Sequence, residues 1–596
     1  MVAGVTKRIL AAIEGGLGFL AASLLAGLLA LVLVAVVLRY LFHFGIVGGE
    51  ELAIWMHVAL IAVGAPLALK GPLAMRLDVF VRSLRGCGRS AAAIGADAFS
   101  VVAALVLLFG GTEIMTMLGG ISPALGLPEW IRFGFLGAGG LLVLIVLFLN
   151  RLIQGHGFSV LLSFGIGTAV YAAVPLLPIE TSLPASLFLA LVAGLGLLLA
   201  APLPHAFLAA AYVAIAFGGS LPEPAIVSTA VTGMSKFLLL AIPFFLLAGG
   251  LLTASGAAGR LVRLAETLVG HRRAGLAQTT LLTSVLFSGA SGSSVANAAF
   301  GASTFFPELV RNGYAPERAG ALIAATSVLD NVIPPSIAFL LLAAATNLSV
   351  GPLLVGGFFA GGLMALCLAA AIHLTSAEAA TRAPATARER RQAAILAMPA
   401  LGLGVIVVAG IRFGIVTTTE AAAVAAAYTL MLAVVAKRGT VPLYATFRQA
   451  ATETAAIGLL IGTAGPFAFL LAVDDIAGLV SQVVNTLGGG AFAVLLLSNV
   501  VLLAAGLVLD IGAAILLLGP ILLPVAISAG LDPIQFGVIV VVNLMIHGLT
   551  PPLGILVFVV GGVTRVPASA LFRAVVPYLA ALLISLLILI SFVLLF

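Results

Sequence analysis

Charge is what this chain has least of. Of its 596 residues only 8% are Asp, Glu, Lys or Arg, against roughly 25% in soluble domains. An ordinary water-soluble domain is excluded, because its surface needs far more polar cover. Cysteine is scarcer still. Cys87 and Cys367 are the only two, far apart and without a companion motif, which argues against a disulfide framework or a thiolate metal centre. Tryptophan also occurs twice, and Trp55 and Trp130 read as interfacial anchors. His57, His205 and His373 are isolated, so they build no metal site. No cluster of His, Cys or acids stands at membrane depth, so the chain does not read as an enzyme. The serines of "SGASG" (288–292) lack the strand–turn–helix setting of a hydrolase nucleophile.

What the chain has is apolar length. Hydrophobic residues make up 62% of it. Runs of roughly 16 to 21 apolar residues recur from end to end, each long enough to cross a bilayer as a helix. Examples are 17–37, 101–118, 133–149, 237–252, 393–411 and 579–596. The fold class is therefore an all-α polytopic membrane protein, since a β-barrel would show short alternating strands. The run after Lys7 and Arg8 has no clear small-residue cleavage site and reads as a first spanning helix.

The sparse bases give orientation rather than nucleic-acid binding. They gather at Lys70–Arg89, at Arg260–Arg273, at Arg382–Arg391, and at Lys437, Arg438 and Arg448. The positive-inside rule puts these loops, and the N-terminus, in the cytoplasm. Segments 220–223 and 474–490 carry no Lys or Arg and should lie outside. Stretches 256–271 and 442–454 are amphipathic and read as surface helices along the membrane. Glu50 and Glu51 open a helix, where acids suit the N-terminal dipole.

The organisation has three parts. Residues 1–155 hold four spans and one basic loop, 156–184 hold one further span and a Pro-rich break, and 185–596 form a longer block rich in Gly and Pro. That last block contains a repeat. "FPELVRNGYAPERAGALIAATSVLDNVIPP" aligns without a gap on "LPVAISAGLDPIQFGVIVVVNLMIHGLTPP". Pro307, Gly313, Pro316, Gly320 and Pro334-Pro335 fall on Pro524, Gly530, Pro533, Gly537 and Pro551-Pro552, always 217 residues on (524 − 307 = 217). Arg311 and Arg318 mark the first copy's loop as cytoplasmic, whereas 527–533 has no base. Opposite orientation of two copies is the inverted repeat of secondary transporters.

Each copy pairs a Gly/Ser-interrupted apolar segment, 281–307 or 499–524, with a helix broken at Pro-Pro. The interrupted segments read as re-entrant hairpins. Proline removes an N–H and disfavours helix before it. Backbone carbonyls so released are tolerated at membrane depth only where protein, water or an ion satisfies them. Carbonyls at helix C-termini suit a hard cation such as Na⁺, and N–H groups at hairpin tips suit an anion.

These motifs resemble the membrane component of TRAP transporters, the tripartite ATP-independent periplasmic family, with small and large subunits fused. The large-subunit likeness rests on "LLAIPFFLLAGGLL" (239–252), "SGASGSSVANAA" (288–299), "TTTEAAAVAAAY" (417–428) and "LDIGAAILLLGPILLPVA" (509–526), besides the repeat. The small-subunit likeness is looser: "RYLF" (39–42), "EELAIWMHVALIAVGAPLALKG" (50–71), "RLDVF" (76–80) and "SPALGLPEW" (122–130). The resemblance implies Na⁺-driven uptake of an organic acid across the bacterial inner membrane. It implies a periplasmic substrate-binding protein as partner, and no cofactor beyond the coupling ion. It also implies a four-helix scaffold, a connector helix and an elevator-type transport block. With the scaffold fused in, a monomer is the expectation.

Carried over by residue, a first Na⁺ site falls on Ser288, Ser291, Asp330, Ile333 and Pro335. A second falls on His547, Thr550 and Leu553, with Gly506 and Asp510 nearby. Ser293, Ser294, Asn297, Asn331 and Asn543 are the candidate substrate contacts. Three features depart from the family pattern. Asn297 stands where the family usually has Asp, and Thr418 interrupts its "TPTE". Asp330 and His547 replace its usual glycines, and 330 + 217 = 547. An ionisable group inside a membrane is a functional candidate by default. The bland alternative has both side chains facing a water-filled cavity, with only their carbonyls at work. A rival within transport is a stand-alone elevator anion carrier, coupled to Na⁺ or H⁺, without a binding protein. A pure scaffold would have no need of two hairpins and two Pro-Pro breaks.

Overall fold

The computed structural model describes the chain except residues 1, 71–73, 78, 156, 292, 377–382, 437–440, 508, 552–553 and 596, and the side chains of 2–3, 79, 289–291 and 436. The regular structure of the described residues is all helical, apart from one isolated β-bridge between Ile121 and Pro128. Eleven helices among them are long and apolar enough to cross a membrane. The chain forms two compact units: residues 1–243 with 447–479, and 244–446 with 480–596.

In the first unit, Val2–Leu41, Gly49–Ala68, Cys87–Met117 and Trp130–Ile153 are the four long helices of the N-terminal block. Cys87–Met117 also packs on Gly157–Ala173, Leu203–Val213 and Glu223–Met234. A bidentate ion pair fixes two of the long helices. Arg151 Nε and Nη2 donate to Asp97 Oδ2 and Oδ1 at 2.6 and 2.8 Å. This fork geometry suits Arg rather than Lys. Two expectations need correction here. Trp55 is 4% exposed inside the Gly49–Ala68 packing, so it is not an interfacial anchor. Stretch 442–454 is no separate surface helix, because Leu443–Val473 runs as one helix. No Gly or Pro follows Pro442 until Gly458, and the Ala/Thr run between gives nothing to end a helix.

At the start of Glu223–Met234 the Tyr171 hydroxyl donates to Glu223 Oε1 at 2.8 Å. The Tyr171 ring stacks on both Phe109 and Tyr212. Burial pushes the Glu223 carboxyl up to about 7; the Glu113 charge raises it further, and the Tyr171 hydrogen bond works against both. A carboxyl raised in the folded state stabilises fully below its ordinary value and loses that stability as pH rises through its folded value. The thermal midpoint in detergent is therefore expected to fall between about pH 4.5 and about pH 7, modestly because solvent reaches part of the group. Glu223→Gln should flatten that stretch of the curve. Identical slopes for both proteins would show a carboxyl titrating as in water.

The second unit builds each element twice. Gly275–Ser291 and Ser294–Thr304 form one helical hairpin, and Gly490–Gly506 and Ile511–Ser528 the other. The first arms begin earlier than the 281 and 499 expected from sequence. Thr279 and Thr280 return their hydroxyls to Gly275 O and Leu276 O, so these polar positions sit inside a helix instead of ending it. One broken helix runs Pro316–Ser327, a 3₁₀ turn Val328–Asn331, then Ile337–Thr346. The other runs Pro533–Ile546, a 3₁₀ turn His547–Leu549, then Ile555–Thr564. The N-caps keep the register: Ser293 and Asp510, like Ala315 and Asp532, stand 217 apart (510 − 293 = 532 − 315 = 217). Gly313 and Gly530 both turn at positive φ, 91° and 83°, where a Cβ is strained.

Packing within this unit is reciprocal. Ser294–Thr304 packs on Ile555–Thr564, and its counterpart Ile511–Ser528 packs on Ile337–Thr346. Pro316–Ser327 packs on Ala568–Leu595, and Pro533–Ile546 on Val350–Thr375. The two long helices Val350–Thr375 and Ala568–Leu595 also pack on each other. Such exchange of partners is what a two-fold relation produces.

Candidate transport site

The site is made where the helices stop. In a helix the carbonyls of Asp330 and Asn331 would accept from residues 334 and 335, but both are prolines and have no N–H. The chain answers with the 3₁₀ turn and with Ser336. The Ser336 hydroxyl donates to Asn331 O and accepts from Phe339 N at 3.3 Å, capping Ile337–Thr346. In the second repeat Thr550 N donates to His547 O at 3.0 Å, and Gly554 N to Thr550 O at 2.9 Å.

Both arms of the first hairpin, one of which carries Ser288, pack on the Val328–Asn331 turn that carries Asp330. Ser288 and Asp330 are both fully buried. The Ser288 hydroxyl donates to Val285 O at 2.7 Å, which leaves its oxygen lone pairs to accept or coordinate. Ile333 N donates to Leu329 O, continuing the turn, and the Ile333 side chain lies against the Gly361 backbone. Pro335 follows a cis peptide bond. The Ser291 side chain lies outside the described residues.

In the second repeat the His547 ring rests directly on the Gly506 backbone. A Cβ built at Gly506 would stand 2.3 Å from His547 Cγ and 2.7 Å from Nδ1. Asp510 caps Ile511–Ser528, its Oδ2 accepting from Gly512 N at 3.0 Å. The Thr550 hydroxyl donates to Ile546 O at 3.3 Å. Leu553 lies outside the described residues.

Ser293 caps the Ser294–Thr304 helix, accepting from Ala296 N. Ser294 and Asn297 are buried on that helix's first turn. Among the described residues no hydrogen-bond partner faces Ser294 Oγ, Asn297 Nδ2, Asn331 Oδ1 or Asn543 Oδ1. A buried polar group left so costs about 1–3 kcal/mol, and such groups call for an explanation. Here they lie on the first hairpin and the two broken helices of one unit, and both donors and acceptors are among them.

Sequence reasoning missed the links that hold hairpin to broken helix. Asn543 Nδ2 donates to Asn499 Oδ1 at 2.6 Å, and Ser284 Oγ donates to Thr326 Oγ1 at 3.2 Å. Thr326 and Asn543 are again 217 apart (543 − 326 = 217). The available signal was Asn499, a lone amide in an otherwise apolar run. Glu420 completes a capping box: Thr417 N donates to Glu420 Oε2 at 2.8 Å and Glu420 N to Thr417 Oγ1 at 3.3 Å. No group of three or more His, Cys, Asp or Glu able to hold a metal occurs among the described residues.

The family model of the tripartite ATP-independent periplasmic transporter, DctM component, matches residues 187–595. That of the DctQ component matches 28–157. The chain is 31% identical over 553 residues to the isethionate TRAP transporter permease protein DctMQ of Oleidesulfovibrio alaskensis, covering 90% of this chain and 86% of that one. It is 38% identical over 358 residues to the C4-dicarboxylate TRAP transporter large permease protein DctM of Pseudomonas aeruginosa, covering 59% and 83%. The sialic acid TRAP transporter large permease protein SiaM of Vibrio cholerae is 33% identical over 359 residues, covering 59% and 84%. The chain belongs to the TRAP transporter permeases, with both membrane components in one polypeptide.

Proposed function

We propose that this protein is the membrane part of a Na⁺-coupled symporter that takes up a small organic acid handed over by a periplasmic binding protein. The observation that carries the reading is that unpartnered buried polar atoms occur on the first hairpin, at Ser294 and Asn297, and on both broken helices, at Asn331 and Asn543. Carbonyl-rich breaks suit a hard cation, and hairpin-tip N–H groups with Ser and Asn suit an anion. The relatives' names speak of isethionate, C4-dicarboxylate and sialic acid, all anionic solutes. Movement of the second unit as an elevator, inverted orientation of the repeats, and an inner-membrane site with the N-terminus in the cytoplasm follow the family pattern. Arg311 and Arg318 in one repeat's loop, with no base in the other's, support the inversion.

The test is uptake of a panel of carboxylates and sulfonates into proteoliposomes holding the full chain. The expected result is accumulation that needs an inward Na⁺ gradient and the added binding protein. Accumulation driven equally well by a proton gradient in Na⁺-free buffer, without a binding protein, would favour the stand-alone carrier and overturn the proposal.

A further inference from the structure

Seven of the chain's arginines lie in two short stretches of the second unit, 260–273 and 388–391, and none of them belongs to the transport site. Helix Ala257–Val269 buries Ala257, Ala258, Leu261, Leu264 and Ala265 and packs on Ala387–Arg412. Arg263 is exposed on its other side, and Arg260 is half-buried. The neighbouring helix opens with Arg388, Arg390 and Arg391. The Thr386–Glu389 capping box already caps this helix, and a guanidinium, which only donates, could not serve its free N–H groups, so the arginines are not there to finish the helix. Arg263 lies near enough to act on the Glu389 carboxylate, which sets the two basic runs side by side. Within the two helices' ends five arginines face two acids, Glu266 and Glu389, a surplus of +3 (5 − 2).

The depth of this cluster follows from the residues beside it. Ile395, Leu396 and Met398 are exposed large apolar side chains on the same helix. In a helix long and apolar enough to span a bilayer, exposed residues of this kind face lipid tails. Arg391 is four residues from Ile395, about 6 Å along the axis, so its guanidinium stands at headgroup height. The Arg390 Nε is buried and has no hydrogen-bond acceptor among the described residues.

We propose that Arg263, Arg388, Arg390 and Arg391 form a binding site for the headgroup of an anionic phospholipid, whose acyl chains lie along Ile395, Leu396 and Met398. Charge complementarity and continuity with the lipid-facing side chains select this occupant. Guanidinium forks match phosphate oxygens bidentately. A basic residue near a charged membrane surface contributes about fivefold in affinity.

The experiment titrates fluorescent phosphatidylglycerol in mixed micelles against the purified, delipidated full chain, with phosphatidylcholine and inorganic phosphate as comparison probes. Phosphatidylglycerol is expected to bind more tightly than phosphatidylcholine, and its affinity to fall with salt. R263Q/R391Q is expected to weaken it about 25-fold, with an unchanged thermal midpoint. R412Q, at the far end of the same helix, should not change it. Equal binding of both lipids, salt-independent binding, or equal loss in R412Q overturns the site. Full displacement by millimolar inorganic phosphate would mean that the cluster binds free anions, not lipid, and also overturns it. The salt series on the unaltered protein decides the question even where the double variant fails to fold.

Discussion

Gly506→Ala is expected to cut uptake by about tenfold or more, and His547→Gly in the same chain to restore most of it. The argument is steric. A methyl group at 506 would meet three atoms of the His547 ring at 2.3 to 2.7 Å, distances that no unstrained Cβ contact shows. The ring is rigid and buried in the 3₁₀ turn His547–Leu549, so relief needs a shift of the turn or of the Gly490–Gly506 helix end. Overpacking of this kind costs about 1–3 kcal/mol, and it falls on the two elements that frame the second candidate cation site. A lowered thermal midpoint in detergent should accompany the lost uptake. Removal of the ring by His547→Gly, the residue more usual for the family at this position, opens the space again. A Gly506→Ala protein with unchanged midpoint and uptake would show that the ring swings away freely. Loss without rescue would show that position 506 matters for another reason.

The parts of the fold that sequence made legible are those written in proline, glycine and charge. The 217-residue offset came from Pro and Gly positions, and it reappears in the N-caps Ser293 and Asp510 and in the positive-φ turns Gly313 and Gly530. Such residues act through local backbone geometry, so a single sequence carries their meaning. The misreadings are of another kind. Trp55 is apolar whether it faces lipid or protein, and in a membrane both environments select the same side chains. Hydrophobic length therefore shows that a helix spans but not which face is packed. The start of Leu443–Val473 misled because an amphipathic stretch was taken as a separate element when no helix breaker divides it from the span. The Asn499–Asn543 pair was invisible for a third reason: partners 44 residues apart meet only through tertiary packing. Asn543 was read as a candidate substrate contact; its partner Asn499 had no motif to announce it.

Asp330→Asn is expected to raise the Na⁺ concentration for half-maximal uptake by about 10- to 100-fold, with a smaller change in the half-saturating substrate concentration. Asp330 is 0% exposed in the Val328–Asn331 turn, and that turn packs on both arms of the first hairpin. Taking a carboxylate out of water costs several kcal/mol, and a protein keeps such a charge only where other groups or an ion compensate it. Hydrogen bonds to charged groups contribute about 1.5–3 kcal/mol against about 1 kcal/mol for neutral ones, and the full charge of a cation widens that gap. Asparagine keeps the side chain's shape and removes its charge, so a change confined to Na⁺ dependence separates charge from packing. The same argument predicts that Asp330→Gly, which returns the more usual residue of the family, lowers Na⁺ affinity without abolishing uptake, because the break and its carbonyls remain. Na⁺ dependence identical in all three proteins would mean that the Asp330 side chain takes no part in cation binding and that the backbone alone forms the first site.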